Sequence, residues 1–237
     1  MSIDLQIQKE CMRLGISRLC HFTPSRNLAH IIAGKIGVLA TEHLEKSERK
    51  VFNATDLKRY DGYKSHICCS IEYPNVWYLS HKIENEKLFK DWVILLIKPY
   101  YLWMKGTLYC HRNASAEYGR YIGGGFESFK LLYQDVIIGS GGRIYKRSRT
   151  HLTACPTDNQ AEVLVSDCIN LSDITGIVTR NERQARNEIC RLKLQELKAI
   201  VNFYVVSEFY DKHAMSLAIS NGARPKESLF NGGDRHD

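Results

Sequence analysis

The apolar positions of this 237-residue chain fall into short runs rather than long periodic stretches. Five β-branched or aromatic runs bounded by turn residues predict strands over 66–72, 93–98, 162–166, 174–178 and 200–206. Helical spacing is confined to two segments. In Thr23-Pro24-Ser25-Arg26-Asn27, Thr23 suits an N-cap and Pro24 a first helical position. Leu28, Ile31 and Ile32 then mark one face, and Gly34 stops the helix. A second helix runs from Arg183 to about Leu197, with Ala185, Ile189, Leu192 and Leu197 near helical spacing. Between Lys98 and Glu162 the chain is rich in Gly, Tyr, Arg and Ser and follows neither period. A long irregular segment inside a compact domain is usually functional, so substrate contacts are expected there. Scattered strands with few helices predict an α+β domain rather than βαβ units. Residues 1–220 read as one domain, and the polar, Gly-rich stretch 221–237 as a flexible tail.

Composition narrows the class. Apolar residues make up 44% and charged residues 25%, which fits a folded globular chain and excludes collagen-like or disordered classes. Met1 to Leu14 carries charges where a secretory leader is apolar, so no leader is expected. The longest apolar run, Trp92 to Ile97, is far below the ~18 residues that span a bilayer. The 8 cysteines form no C-x-x-C pair, and Cys68-Cys69 sits inside an apolar run. They read as reduced, buried thiols in the cytoplasm, with no disulfide and no metal site. The net charge of +7 is compatible with a polyanionic partner without identifying one.

Four features bear on chemistry. Gly123–Gly125 and Gly139–Gly142 contain neither G-x-G-x-x-G nor a G-K-[ST] ending, which argues against a Rossmann or P-loop nucleotide site. His21-Phe22-Thr23 ahead of Asn27-Leu28 places an imidazole and a hydroxyl on one short stretch, able to bond ribose hydroxyls. The residues alone leave open a packed histidine and a plain cap. In Asp158-Asn159-Gln160-Ala161-Glu162-Val163-Leu164-Val165, strand alternation puts Gln160, Glu162 and Leu164 on one face. Glu162 then points to solvent or into a cleft. The stretch Arg143-Ile-Tyr145-Lys146-Arg147-Ser-Arg149-Thr-His151 carries four positive charges and an aromatic ring. It suits a single-stranded backbone with stacked bases, and equally a solvated basic loop.

Taken together, HFTPSRNLAHI at 21–31, NATDLKRYDGYKSHICCSIEYPNVWYL at 53–79 and TDNQAEVLV at 157–165 resemble the DarT family of DNA ADP-ribosyltransferase toxins. The resemblance spans His21 to about Ala199. It implies a single ADP-ribosyltransferase-like domain in which a split mixed β-sheet, flanked by helices, forms the NAD cleft. His21, Phe22, Thr23, Asn27, Gly37, Leu39, Arg59, Tyr73 and Trp77 would then contact NAD as substrate, and the stretch from Gly37 to Arg59 would fold over it. Glu162 looks like the catalytic glutamate and Arg59 like the catalytic arginine, with Lys58 and Arg49 as neighbours in register. The region from about Gly119 to Asn159 would grip nucleic acid through Tyr145, Lys146, Arg147 and Arg149. The implied activity is NAD-dependent ADP-ribosylation of thymine or guanine in single-stranded DNA, by a cytoplasmic toxin with no membrane association. Its partner would be a macrodomain-type ADP-ribosyl hydrolase. Alternatives are transfer to RNA or protein, or a catalytically inactive nucleic-acid-binding module. Ile71-Glu-Tyr-Pro-Asn-Val-Trp77 stands where thymidine-modifying members carry an Asn-Pro-Met-like sequence, which bears on the target base more than on the reaction.

Overall fold

The structure, a computed structural model, describes residues 2–34, 36–46, 59–87, 89–139, 142–197 and 201–231. In chain order the elements are α1 (Leu5–Leu14), β1 (Leu19–Pro24), a 3-10 turn (Ser25–Asn27), α2 (Leu28–Ala33), β2 (Gly37–Leu39), α3 (Thr41–Lys46), β3 (His66–Ile71), α4 (Val76–Asn85), β4 (Trp92–Ile97), β5 (Leu108–Cys110), β6 (Ile122–Gly124) and α5 (Gly125–Leu131). There follow β7 (Val136–Ile138), β8 (Ile144–Lys146), β9 (Glu162–Ser166), β10 (Cys168–Asn170), β11 (Ile174–Thr179), α6 (Glu182–Leu194), β12 (Asn202–Val205), α7 (Lys212–Ser220) and β13 (Ser228–Leu229). Nine strands form one sheet in the order β13-β12-β11-β4-β1-β3-β9-β5-β6. Its described pairings are antiparallel except for β11 with β12, so the sheet is mixed and the fold is α+β.

Strand β4 shows how the layers are organised. Every residue of Trp92-Val-Ile-Leu-Leu-Ile97 is buried, because helices cover both faces of the sheet. Val93, Leu95 and Ile97 join a core with α1, α2, α5 and α6, through residues such as Ile7, Leu28, Phe129 and Leu192. Trp92, Ile94 and Leu96 point the other way, into a core with Leu79 of α4 and Met215 of α7. Period-2 alternation along one strand thus divides it between two apolar layers.

The sheet is split in its middle. Strand β1 pairs with β4 along its whole length, from Leu19 opposite Ile97 to Pro24 opposite Trp92. Against β3 it makes two pairs, Leu19 with Ile71 and Cys20 with Ser70. Meanwhile β3 continues beside β9 from Cys69 back to His66. The two halves therefore diverge beyond Cys20 and leave a cleft between them.

Two expectations need correction. The first helix begins later than the Thr23-Pro24 signal suggests. Both residues remain in β1 because pairing with Val93 and Trp92 extends the strand. Thr23 caps nothing, and its Oγ1 instead accepts a hydrogen bond from Asn27 Nδ2 at 2.9 Å. The stretch expected as a flexible tail is part of the fold as far as Asn231. Strand β13 pairs with β12, and Arg224 Nη1 reaches Oε1 of buried Glu72 at 2.8 Å. Arg18 donates to the Glu72 carbonyl at 2.8 Å and to Glu227 Oε2 at 2.7 Å. Charged partners on the early chain make this segment a strap. Residues 232–237 lie outside the described residues.

Strand β2 pairs with β10 to form one rim of the cleft, with Gly37 opposite Asn170. Gly37 has φ +101°, and an added Cβ would lie 2.1 Å from the Ile169 carbonyl oxygen and 2.6 Å from the Leu171 nitrogen. Neither backbone atom can yield cheaply. Gly37→Ala is expected to cost at least about 2 kcal/mol and to lower Tm by about 4–8 °C in calorimetry. An unchanged Tm means that this pairing does not fix the rim.

Candidate active site

The cleft at the split is open to solvent, with a cavity volume of about 130 Å³. Strand β1 supplies His21, Phe22 and Thr23, the following turn Asn27, and β2 Gly37 and Leu39. Across the gap stand Arg59, Cys68, Cys69, Asn75, Tyr78 and Glu162. His21 Nδ1 lies 2.8 Å from the carbonyl oxygen of Cys68, bridging the strands where their ladder has stopped. A carbonyl only accepts, so Nδ1 carries the proton and Nε2 is left as an acceptor. Burial lowers the imidazole pKa, the Cys68 bond partly offsets this, and the Arg59 charge lowers it further. His21 is therefore neutral at pH 7. Phe22 packs with its ring 5.9 Å from those of Tyr78 and Trp92.

Glu162 opens β9, opposite Cys110 of β5, and is 5% exposed. Its Oε2 accepts the Ala114 backbone N–H at 2.8 Å. Its Oε1 accepts the side-chain amides of Asn75 at 3.1 Å and Asn113 at 3.4 Å. Burial pushes the Glu162 carboxyl up to about 7, against the stabilising bonds from Ala114 and Asn75; Asp61 adds to the rise and Arg59 opposes it. Arg59 itself is 7% exposed and has φ +36°, a strained backbone for a side chain of its size. Its guanidinium donates to Asp61 at 2.9–3.2 Å through Nε and Nη2, and to the His66 carbonyl through Nη1. A second cavity, of about 330 Å³, adjoins the cleft. Tyr78 lines both, and Asn113, bonded to Glu162, lines the second with Trp77, Arg112, Tyr145 and Asp158.

Comparison with known proteins places this geometry. The family model described as ssDNA thymidine ADP-ribosyltransferase, DarT, matches residues 20–211. The chain belongs to the DarT family. Among solved structures it is similar to Thermus sp. 2.9 DarT in complex with NAD+, with a TM-score of 0.53 and 15% identity, over 82% of this chain and 97% of that one. The same Thermus protein in complex with ADP-ribosylated ssDNA gives a TM-score of 0.51 at 13% identity, over 83% and 97%. Thermosipho africanus DarTG in complex with ADP-ribose gives 0.53 at 13%, over 82% of this chain and 51% of that one. No curated protein sequence matches the chain. The DarT fold is thus shared with structures of low identity.

Within this DarT fold the expected residues do not all converge. His21, Phe22, Thr23, Asn27, Gly37, Leu39, Arg59 and Glu162 line the cleft together. Tyr73 does not. It is 4% exposed, packed edge-on to Phe209 with ring centroids 5.4 Å apart and with Arg18 over its face. The reversal of direction at Glu72, φ +64°, turns it into the core. Trp77 lines the second cavity instead of the cleft and donates from Nε1 to Ser216 Oγ at 3.1 Å. Residues 47–58, including the alternatives Arg49 and Lys58, lie outside the described residues. On the basic stretch, Lys146 and Arg149 are exposed and Tyr145 faces the second cavity. Arg147 is spent internally. It donates to the carbonyls of Cys155 at 2.8 Å, Leu152 at 2.9 Å and Thr153 at 3.2 Å, and to Thr157 Oγ1 at 3.3 Å. Sequence reading missed Asn75, Asn113 and Asp61. Asn75 was the findable one, since Asn ahead of the apolar run Val-Trp-Tyr-Leu is a helix-start signal.

Two outcomes follow from these contacts. Arg147→Gln is expected to cost about 2–3 kcal/mol in urea unfolding, because four acceptors lose a charged donor; Lys146→Gln and Arg149→Gln should stay within about 0.5 kcal/mol of wild type. Equal losses for all three contradict this assignment. For Glu162, the folded-state pKa is about 7 against 4.5 in the free side chain. Between those values the folded chain keeps a proton that the unfolded chain has released, so stability falls as pH rises and is level above 7. That slope is on the order of 3 kcal/mol and should be absent from the same urea series on Glu162→Gln.

Proposed function

We propose that the chain breaks the nicotinamide–ribose bond of NAD+ and transfers ADP-ribose to thymine or guanine in single-stranded DNA. It would do so in the cytoplasm, as the toxin of a pair whose antitoxin is a macrodomain-type ADP-ribosyl hydrolase. The observation that carries this reading is Glu162: a buried carboxylate held by three donors, at the wall of an open cleft in a chain whose glycine clusters form no G-x-G-x-x-G or G-K-[ST] motif.

Bond cleavage releases neutral nicotinamide and builds an oxocarbenium-like centre at the ribose C1′, as in glycoside hydrolysis; the acceptor nitrogen bonds to that carbon and gives its proton to the Glu162 carboxylate. A fixed anion beside that centre interacts more strongly as positive charge develops, which is the condition for lowering the barrier. Glu162 meets it without reorganising, because its bonds from Ala114 and Asn75 exist before substrate arrives. His21, neutral with Nε2 as acceptor, takes a ribose hydroxyl. Thr23 and Asn27 form a polar pair able to meet the nicotinamide amide, with Phe22 as an apolar wall. Arg59, held by Asp61, supplies positive charge toward the pyrophosphate or the base. The second cavity, with Trp77 and Tyr145, is the place for the acceptor base, and a base inside a duplex does not reach it. Lys146 and Arg149 remain available to the phosphate backbone.

The test is incubation of labelled NAD+ with oligonucleotides that each contain one candidate base, and with RNA and protein in parallel. Wild type is expected to label DNA containing thymine or guanine, with a rate that rises to a plateau through pH 7 as Glu162 ionises. Glu162→Gln should lose about 10²–10³ in rate while remaining folded. Labelling of RNA or protein alone moves the acceptor, and wild-type-like transfer by Glu162→Gln removes that residue from the mechanism.

A further inference from the structure

We infer that Asn75 is a positioning residue for this reaction: its amide holds Glu162 as an oriented carboxylate and ties that orientation to the capped start of α4. The inference rests on the reading of Glu162 as the reacting carboxylate. Asn75 is 1% exposed and lies between β3 and α4. Its two ends have different work. Oδ1 accepts the Tyr78 backbone N–H at 3.1 Å and so caps α4. A cap oxygen must accept, which leaves Nδ2 to face the other way. There it donates to Glu162 Oε1 at 3.1 Å and lies 3.5 Å from the Gln160 carbonyl. The amide is therefore fixed in one orientation by the helix, and in that orientation it only donates. A donor favours an ionised carboxyl and disfavours a proton on Oε1.

The position adds a field to the bond. Helix α4 has 10 residues, and its N-terminal end carries partial positive charge. Glu162, bonded to the N-cap residue, sits at that end. The same carboxyl is drawn toward its neutral form by burial and by the Asp61 charge, and toward its ionised form by Arg59. Among the described residues the thiols of Cys68, Cys69 and Cys110 also face it, all pushed up by burial and neutral through the range of the test. Replacing Asn75, the nearer of the two amides on Oε1, thus shifts the balance without adding or removing a cation.

Asn75→Asp separates the two jobs, since aspartate caps a helix as well as asparagine does but offers Glu162 an acceptor instead of a donor. Asn75→Ser keeps a cap and offers nothing to Glu162. Two measurements are made on each, alongside wild type and Glu162→Gln. The first is the pH profile of kcat/KM for transfer. The second is the infrared band of the protonated Glu162 carboxyl, recognised by its loss in Glu162→Gln and titrated without any substrate. For Asn75→Asp both midpoints are expected to rise by at least one pH unit, giving about a fivefold or greater loss of transfer at pH 7 that largely recovers at pH 9.5. Asn75→Ser should shift in the same direction by less. Superimposable titrations for wild type and both variants overturn the inference. So does a loss of transfer that is equal at every pH with an unmoved infrared midpoint, which puts Asn75 against substrate. If wild type transfers nothing to DNA, the infrared titration still decides the role of Asn75, while the proposed reaction falls on its own.

Discussion

Everything at the site depends on two strands parting company. Strand β1 leaves β3 after the Leu19 and Cys20 pairs, yet stays bonded to β4 to its end. Parting exposes backbone groups that the ladder would have satisfied, and buried unsatisfied groups are costly. The His21 imidazole takes over at the first such place by donating to the Cys68 carbonyl. One bond therefore does two things: it replaces a lost backbone contact, and it fixes which ring nitrogen looks into the cleft. The two halves share one apolar layer, while on the other face the β1-β4-β11 half packs under α4 and α7 and the β9-β5 half has a small cluster of its own, Cys110, Ala114 and Leu164.

Around that opening the chain buries more charge than its stability alone calls for. Arg59 and Asp61 form an ion pair whose side chains are each 5% exposed, and Glu72 and Glu162 are as deeply buried. Buried pairs commonly contribute little net stability, since desolvation offsets attraction. Their value here is placement. Glu162 and Arg59 are held by side chains and backbone from three separate stretches of the chain, which fixes both before any ligand arrives. The raised carboxyl of Glu162 is the cost of its burial.

How much of this was legible in the sequence varies with the range of the interaction involved. β-branched runs located β4, β9 and β11 to within a residue or two, since both-face burial leaves a dense apolar signature. Glu162 and His21 were legible as part of an ordered set of motifs. Thr23 was misread as a cap because nothing local reveals that β4 will extend β1 past it. Tyr73 and Trp77 lie two and six residues beyond Ile71, close to the cleft in sequence, but a positive φ at Glu72 redirects the chain. Arg147 looked like its basic neighbours, and only the fold of residues 152–157 around its guanidinium tells it apart. The short strands between Lys98 and Glu162 carry little periodicity of their own and owe their form to the sheet edge they join.

The strap at residues 224–229 bears on how the molecule comes into being. Arg18 and Glu227 meet across 209 positions of sequence, and Glu72 and Arg224 across 152. Contacts of that separation close late, since the loop entropy is lost before the contact returns anything. A nascent chain can assemble its central strands and still hold Glu72 buried without its arginine until Arg224 has been made. The corner that leads from β3 into α4, which carries the amide that faces Glu162, thus takes one of its charged partners from a stretch made 152 positions later.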